Sequence, residues 1–346
     1  MAFGGGVFVT QNKTMPGTYI NFVNASRATA NLGERGVVAI AHVLNKNAKS
    51  VIEITREEFL KDSNEKLGFA YTSDSAKVFR EIFRHATKCV IYDLGEDGTS
   101  EEAIAALEQY DFNVLAAYTS TSADISAYIT AVKNWRENGK KCQCVVYNPS
   151  TAPDSEGVIN VGSTVKDSGA ATHALVAWVA GAEAGCAINK SCTNMNYDGE
   201  YDVKCTETMD ELETALEAGK LMFHLAYGEV RVLEDINSLT TTTTEKGEDF
   251  KYNQTIRVID QIANDIARIF NNKYLGKIPN NDSGRASLWA DIIEHHKQLN
   301  DIQAIEGFNA EMVTVEQGST KKSVVITDAI KVVNAMAILY MTVEIQ

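Results

Sequence analysis

"CVIYDLG" (89–95), "FNVLAAYT" (112–119) and "CQCVVY" (142–147) are three short apolar runs, each of strand length. Between the first and second lies "TSEEAIAALEQY" (99–110), where Thr99 and Glu102 have the spacing of a capping box. Between the second and third lies "SADISAYITAVKNWRENGK" (122–140), again helical in pattern. Parallel strands need a crossover of this length, and antiparallel strands do not. The alternation therefore predicts an α/β body built on parallel strands.

The pattern continues on both sides of this stretch. Upstream, "GVVAIAHVL" (36–44) reads as a strand, and "TREEFLKD" (55–62) and "DSAKVFREIFRHAT" (74–87) as helices. Residues 1–24 are glycine-rich and then extended around "KTMPGTYINF" (13–22), where Pro16 removes a donor and Gly17 permits a turn. Downstream, a helix of small residues is expected over about 168–185, and a second capped helix opens at Thr208 and Glu211 and stops at Gly219. "LMFHLAYGEVRVLED" (221–235) predicts a hairpin turning at Gly228, and the threonine-rich "INSLTTTTTEKG" (236–247) reads as a solvated loop.

In "NQTIRVIDQIANDIARIF" (253–270), Ile256, Ile259, Ile262, Ile266 and Phe270 recur at helical steps, so Arg257, Asp260, Asp265 and Arg268 are expected on the exposed side. A further helix is expected over 284–299. The tail "LYMTVEIQ" (339–346) alternates: Leu339, Met341, Val343 and Ile345 share one face, and Tyr340, Thr342, Glu344 and Gln346 the other. That is the period of a half-buried strand.

At 346 residues the chain is long enough for two or three compact units, and 45% hydrophobic residues with only 4 prolines mark it as globular. A net charge of −14 argues against a nucleic-acid partner, because phosphate binding needs clustered cations. The most apolar window, 169–188, contains His173 and Glu183 and reads as a buried helix, so no membrane insertion is expected. The start "MAFGGGVFVT" has neither the basic nor the apolar segment of a signal peptide. The cysteines at 89, 142, 144, 186, 192 and 205 follow no disulfide framework, which points to reduced thiols made in a cytoplasm.

Chemical motifs are missing. The sequence has no phosphate loop, no dinucleotide fingerprint and no nucleophile elbow. Cys142 and Cys144 share a strand face but lack further ligands at zinc spacing, and the adjacent His295 and His296 point about 100° apart on a helix. No catalytic residue, cofactor or metal site is therefore assigned, and the remaining enzyme reading is an α/β fold without a recognisable active site.

The segments "QNKTMPGTYINF" (11–22), "GERGVVAIA" (33–41), "AWVAGAEAG" (177–185), "EVRVLEDINSLTT" (229–241), "VIDQIANDIARIFNNKYLGK" (258–277) and "VVNAMAILYMTVEIQ" (332–346) together resemble the tail sheath proteins of contractile phages and phage-tail-like bacteriocins, in the short form of Gram-positive hosts. The resemblance implies a fold of α/β and α+β parts, with mixed sheets, crossover helices and extended terminal β arms. It implies an N-terminal arm at 1–24, an outer α/β domain at 25–230, an inner tube-facing domain at 231–337 and a C-terminal arm at 338–346.

It also implies self-association into a helical homopolymer of hexameric rings around an inner tail tube protein, with baseplate and tail terminator proteins as further partners. The particle would be a virion tail or a bacteriocin, assembled in the host cytoplasm. The arms would join neighbouring subunits through Pro16, Gly17, Tyr19, Ile20 and Phe22 at one end and Leu339, Met341, Val343 and Ile345 at the other. Arg257 and Arg268 are the candidate tube contacts. Many members of the family insert a β-rich domain after the strand matching "CVIYDL"; here "GEDGTS" (95–100) runs straight into a helix, which implies a slimmer sheath.

Overall fold

The computed structural model describes residues 32–44, 46 and 48–345. The proposed N-terminal arm residues Pro16, Gly17, Tyr19, Ile20 and Phe22 lie outside that range, as does Gln346.

In chain order the first half contains β1 (Val37–His42), β2 (Val51–Thr55), α1 (Arg56–Leu67), α2 (Lys77–Ile82), β3 (Lys88–Asp93), α3 (Ser100–Leu107), β4 (Val114–Ala116), α4 (Ser122–Glu137), β5 (Gln143–Tyr147), β6 (Val158–Val161), α5 (Leu175–Gly185), α6 (Met209–Glu217) and β7 (Lys220–Leu221). The seven strands form one sheet in the order β2-β3-β1-β4-β5-β6-β7. Every pairing is parallel except that of β2 with β3. The crossover helices make this possible, and the antiparallel β2 closes one edge.

Strand alternation divides the core into two layers. Val38, Ile40, Cys89, Ile91, Val145 and Ile159 face α1, α2 and α5, while Ala39, Val90, Leu115, Cys144 and Val146 face α3 and α4. Cys142 and Cys144 share the second face, against Trp135 and Val132, and burial pushes the Cys142 thiol up to about 12. The small-residue helix begins at Leu175, not near 168, because residues 168–169 and 172–174 form turns. It is buried on all sides, and at Gly181 even a Cβ would lie 2.3 Å from the Ile82 carbonyl oxygen of α2. That close approach explains its run of Ala and Gly.

The hairpin at Gly228 forms as β8 (Phe223–Ala226) and β9 (Glu229–Val232), with Tyr227 and Gly228 both at positive φ. The following threonine run is only partly a solvated loop. Asn237, Ser238 and Leu239 are buried, and the Thr240 and Thr241 backbone N–H groups donate to Asp154 Oδ1 at 2.8 and 2.9 Å. Burial opposes ionisation of Asp154, but these bonds outweigh it and hold the carboxyl down at about 2.

The last third is α7 (Asn253–Ile269), a π turn over 270–274, α8 (Asp282–Asp301) and a hairpin of β10 (Val313–Gln317) and β11 (Val324–Asp328). The isoleucine stripe of α7 packs where the sequence pattern puts it. Ile262 joins Val258, Leu299 and Ile305, and Ile266 and Phe270 join Leu288, Ile292 and Val313.

Candidate functional site: a helix that holds the chain's exit

The other side of α7 is not exposed. Arg257, Asp260 and Asp265 are buried, which corrects the expectation that they lie at the surface. The helix has been lowered polar side first into the α/β body, and each polar group meets a partner. Asn253, Arg257, Asp260 and Asn264 recur at steps of four, three and four, which puts them on one helix face.

Asn253 accepts from Gln143 Nε2 at 3.0 Å and donates to Asp235 Oδ1 at 2.8 Å. Arg257 Nη2 donates to Glu183 Oε2 at 2.6 Å and to Asp235 Oδ2 at 3.3 Å, and its Nη1 donates to the Lys190 carbonyl at 2.6 Å. Asp260 receives both Nη groups of Arg136, at 2.5 and 2.9 Å. Asn264 pairs with the backbone of Lys141, accepting from its N–H and donating to its carbonyl.

Two acids around one guanidinium cannot both hold full charge cheaply in a dry site. Burial, and then the neighbouring Asp235, push Glu183 well above the usual carboxylate range despite Arg257. For Asp235, burial is outweighed by Arg257 and by hydrogen bonds from Glu183, the Cys192 N–H and Asn253, so it stays ionised. Both acids lie against the Arg257 guanidinium, with Asp235 favoured in its charged form and Glu183 pushed toward its neutral one.

A neighbouring face of α7 carries Gln254, Gln261 and Asp265, again at helical steps. Here the ends of the described chain are held. At the upstream end, the Gly33 N–H donates to Asp265 Oδ2 at 3.0 Å, and Gln261 Nε2 donates to the Gly33 carbonyl at 3.2 Å. The Leu32 N–H reaches Gln298 Oε1 of α8 at 3.3 Å. A Cβ on Gly33 would fall 2.5 Å from Asp265 Oδ1, so a larger residue there would push the carboxylate aside. Asp265 is fixed from the far side by His295 Nε2 at 3.1 Å. Burial opposes its ionisation, yet the bonds from His295, Gln261 and Gly33 hold its carboxyl below the usual range.

At the downstream end, Gln254 Nε2 donates to the Val333 carbonyl at 3.0 Å, and its Oε1 accepts from the Ala335 N–H at 2.9 Å. The Thr255 hydroxyl donates to Asn334 Oδ1 at 3.1 Å. Gln254 and Gln261 are two turns apart, or about 10 Å along the axis. One helix thus grips the chain on both sides of the described body.

Beyond Ala335 the chain leaves the body. Val332 makes a single bridge to Ile305, and no strand forms over residues 333–345. Both faces of the alternating tail are exposed: Leu339 at 83%, Met341 at 75%, Val343 at 69% and Ile345 at 96% on one side, and Tyr340 at 89% on the other. A strand needs a neighbour's N–H and C=O groups, and none lies beside this segment among the described residues.

Of the two candidate tube contacts, Arg257 is ruled out as a surface residue by its burial, whereas the Arg268 side chain is 53% exposed and pairs with Asp265. His295 and His296 are both buried and each faces its own carboxylate, Asp265 and Asp328. Sequence reading missed Gln254, Gln261 and Asp265 as a set. Their signal was a second polar stripe beside the isoleucines.

Residues 96–238 match the model of the phage tail sheath protein central domain, and residues 245–346 that of the phage tail sheath C-terminal domain. The chain is 33% identical to the phage-like element PBSX protein XkdK of Bacillus subtilis over 70% of its length, and spans only about half (54%) of that relative. It is 30% identical to the tail sheath protein of Clostridium phage phiCD119, over 75% of this chain and 73% of that one. Among solved structures, the sheath tail protein of Desulfitobacterium hafniense superposes with a TM-score of 0.76 at 27% identity, covering 87% of this chain and 93% of that one. The anti-feeding prophage helical sheath in its contracted state shares the fold, with a TM-score of 0.73 at 16% identity over 96% of this chain and 99% of that one. Two sheath domains in order on a chain of this fold, with a sheath protein aligned along most of its length, make this chain a member of the phage tail sheath family.

Proposed function

We propose that the protein is a structural, non-enzymatic subunit that polymerises helically around an inner tube and contracts by repacking, driving the tube through a bacterial envelope. The observation that carries this reading is the apolar tail of residues 338–345, exposed along its length and fastened at its root by Gln254 and Thr255. In a lone chain such a segment is an aggregation hazard; in a polymer it is a connector.

Its receiver in a second copy would be an open strand edge. The β10–β11 hairpin suits this role: among the described residues its two strands pair only with each other, and Val325 and Ile326 are exposed. Each added ladder bond contributes about 0.5–1.5 kcal/mol net. Burying Leu339, Met341, Val343 and Ile345 adds about 1.5–3 kcal/mol apiece before ordering entropy is deducted. One junction is modest, and a lattice of them is not.

Residues 1–24 would form the second connector. Residues 25–230 would be the outer domain and 231–337 the inner one, with Arg268 as the remaining candidate for tube contact. Partners would be other copies in hexameric rings, the tube, and the baseplate and terminator at the ends of a virion tail or bacteriocin particle. During contraction the bodies would slide and repack while the arms stay paired as hinges.

Deleting residues 338–346 tests the proposal. The truncated protein should stay folded and soluble but fail to build striated tubes in negative-stain microscopy. Ordered, contractile tubes from the truncated chain would overturn it.

A further inference from the structure

His295 and His296 are neighbours on α8, and successive helical positions point about 100° apart. One helix therefore turns an imidazole toward each of two different elements. His295 meets Asp265 of α7, and His296 meets Asp328 of β11. Neither histidine exposes any surface. The sheath reading uses the elements at both ends of this arrangement and gives the two rings no task.

The partners fix where the hydrogens lie. His296 Nδ1 is 2.9 Å from the Ile292 carbonyl oxygen, which can only accept, so Nδ1 carries a hydrogen. The Nδ1 atoms of the two rings are 3.4 Å apart, and with that hydrogen on His296 the Nδ1 of His295 is left as an acceptor. His295 must then carry its own hydrogen on Nε2, the atom that faces Asp265 Oδ2 at 3.1 Å. At the other end, one more hydrogen lies between His296 Nε2 and Asp328 Oδ2, 2.8 Å apart. The tautomer of one ring dictates that of the other.

Asp265 Oδ2 is also the oxygen that receives the Gly33 N–H at 3.0 Å and Gln261 Nε2 at 2.9 Å. An unbroken line of hydrogen bonds thus runs from the backbone at Gly33 through Asp265, His295 and His296 to Asp328 on the hairpin. In a dry interior, bonds joined in this way strengthen one another. Without the Asp265 carboxylate, His295 Nε2–H loses its acceptor and the ring is free to turn. His296 then loses the Nδ1 beside it, and its hold on Asp328 weakens.

We propose that this line couples the upstream chain at Gly33 to the β10–β11 hairpin, so that loosening either end loosens the other. The coupling rests on the sheath reading only for its use. Gly33 lies just downstream of the segment read as one connector, and the hairpin is the receiver for the other. A subunit whose upstream connector is engaged would then present a firmer receiver, and the influence runs equally in both directions.

The test is a double-mutant cycle on the free full-length chain, with Asp265→Asn, Asp328→Asn and the two combined, read as unfolding constants in urea. Sites with no shared network have effects that multiply. Here the first substitution breaks the line, so the combined effect should fall short of the product of the single ones by about threefold or more. An exact product would overturn the proposal. So would an excess over it, which is what direct repulsion between the two carboxylates gives. A second readout is the ¹⁵N spectrum of the histidine-labelled chain. Wild-type His295 should be protonated on Nε2 and bare on Nδ1, and Asp328→Asn should shift the His295 nitrogens although that carboxylate bonds to His296. A His295 that carries its hydrogen on Nδ1, or that is indifferent to Asp328→Asn, would overturn the line; the wild-type spectrum decides even if a variant does not fold. Both experiments use the free chain, so their failure leaves the arm reading standing, and contractile tubes from the tail deletion would leave the coupling standing.

Discussion

Arg257 Nη2 lies 2.6 Å from Glu183 Oε2, and neither side chain exposes more than 1% of its surface. The two residues come from the segments matching the C-terminal and central sheath domains, so their contact is the joint between the two. A buried charge is tolerated only with its partner present, and Asp235 is that partner. Arg257→Ala would leave the buried Asp235 without its counter-charge. We expect a loss of about 3–5 kcal/mol in urea unfolding, among the largest for any single substitution in the chain.

Glu183→Gln should behave in the opposite way. Because the folded value of Glu183 is raised, its contribution is fully present below its unfolded value of about 4.3 and is lost as pH rises through the folded one. Glutamine mimics the protonated acid and does not titrate. The variant should therefore match wild type in mild acid and gain on it as pH rises, with a flatter stability profile. A variant whose unfolding midpoint falls further behind wild type with rising pH would show that Glu183 is ionised in the fold.

Asp265 has the opposite sign. Its folded value is lowered, so its contribution is present above its unfolded value of about 3.9 and is lost as pH falls through the folded one. Asp265→Asn should be less stable than wild type at pH 7, by about 1.5–3 kcal/mol for a charge-assisted set of bonds. The gap should narrow in acid, where wild type also becomes neutral. Urea midpoints at both pH values measure this directly.

The body was legible where the sequence carries local signals. The capping boxes at Thr99–Glu102 and Thr208–Glu211 form as their spacing predicts, and the Gly228 turn closes its hairpin. Strands without such signals were missed. Val158–Val161 is four residues buried on both faces, with no alternation to read, and β10–β11 hides its pairing in mixed polar residues. On α7 the isoleucine stripe was clear, but a polar stripe looks the same whether it meets water or a distant partner. Arg136 and Asp260 are 124 residues apart, and nothing local announces that they pair. The anchoring role of Gln254 was hidden for the same reason, since its partners are 79 and 81 residues away.

Arg268 lies near the end of α7, half-exposed and paired with Asp265. Its pair with Asp265 is largely solvent-screened and worth about 0–1 kcal/mol, so Arg268→Glu should leave the monomer nearly as stable as wild type. If Arg268 faces the tube, assembly on tubes should weaken, and the defect should shrink with added salt. Co-sedimentation with tubes at two ionic strengths reads this, and undiminished assembly would remove Arg268 from the interface.

Gln254 separates the strength of the arm from the direction in which it leaves. Its amide closes a two-bond ring with Val333 and Ala335, so the last fixed backbone before the tail takes its heading from one side chain. Gln254→Ala removes both bonds but none of the tail's apolar residues, and should cost the monomer only about 1–3 kcal/mol. The tail would keep its affinity for a sheet edge and lose its aim, because an unrestrained root samples many directions. Tubes should then form more slowly and with irregular striation, and residues 333–345 should be cut sooner by protease in the free chain. Gln254→Glu keeps one acceptor for the Ala335 N–H and should fall between the two. Regular tubes from the alanine variant at wild-type rate would mean that the arm's heading is set by the receiving subunit instead.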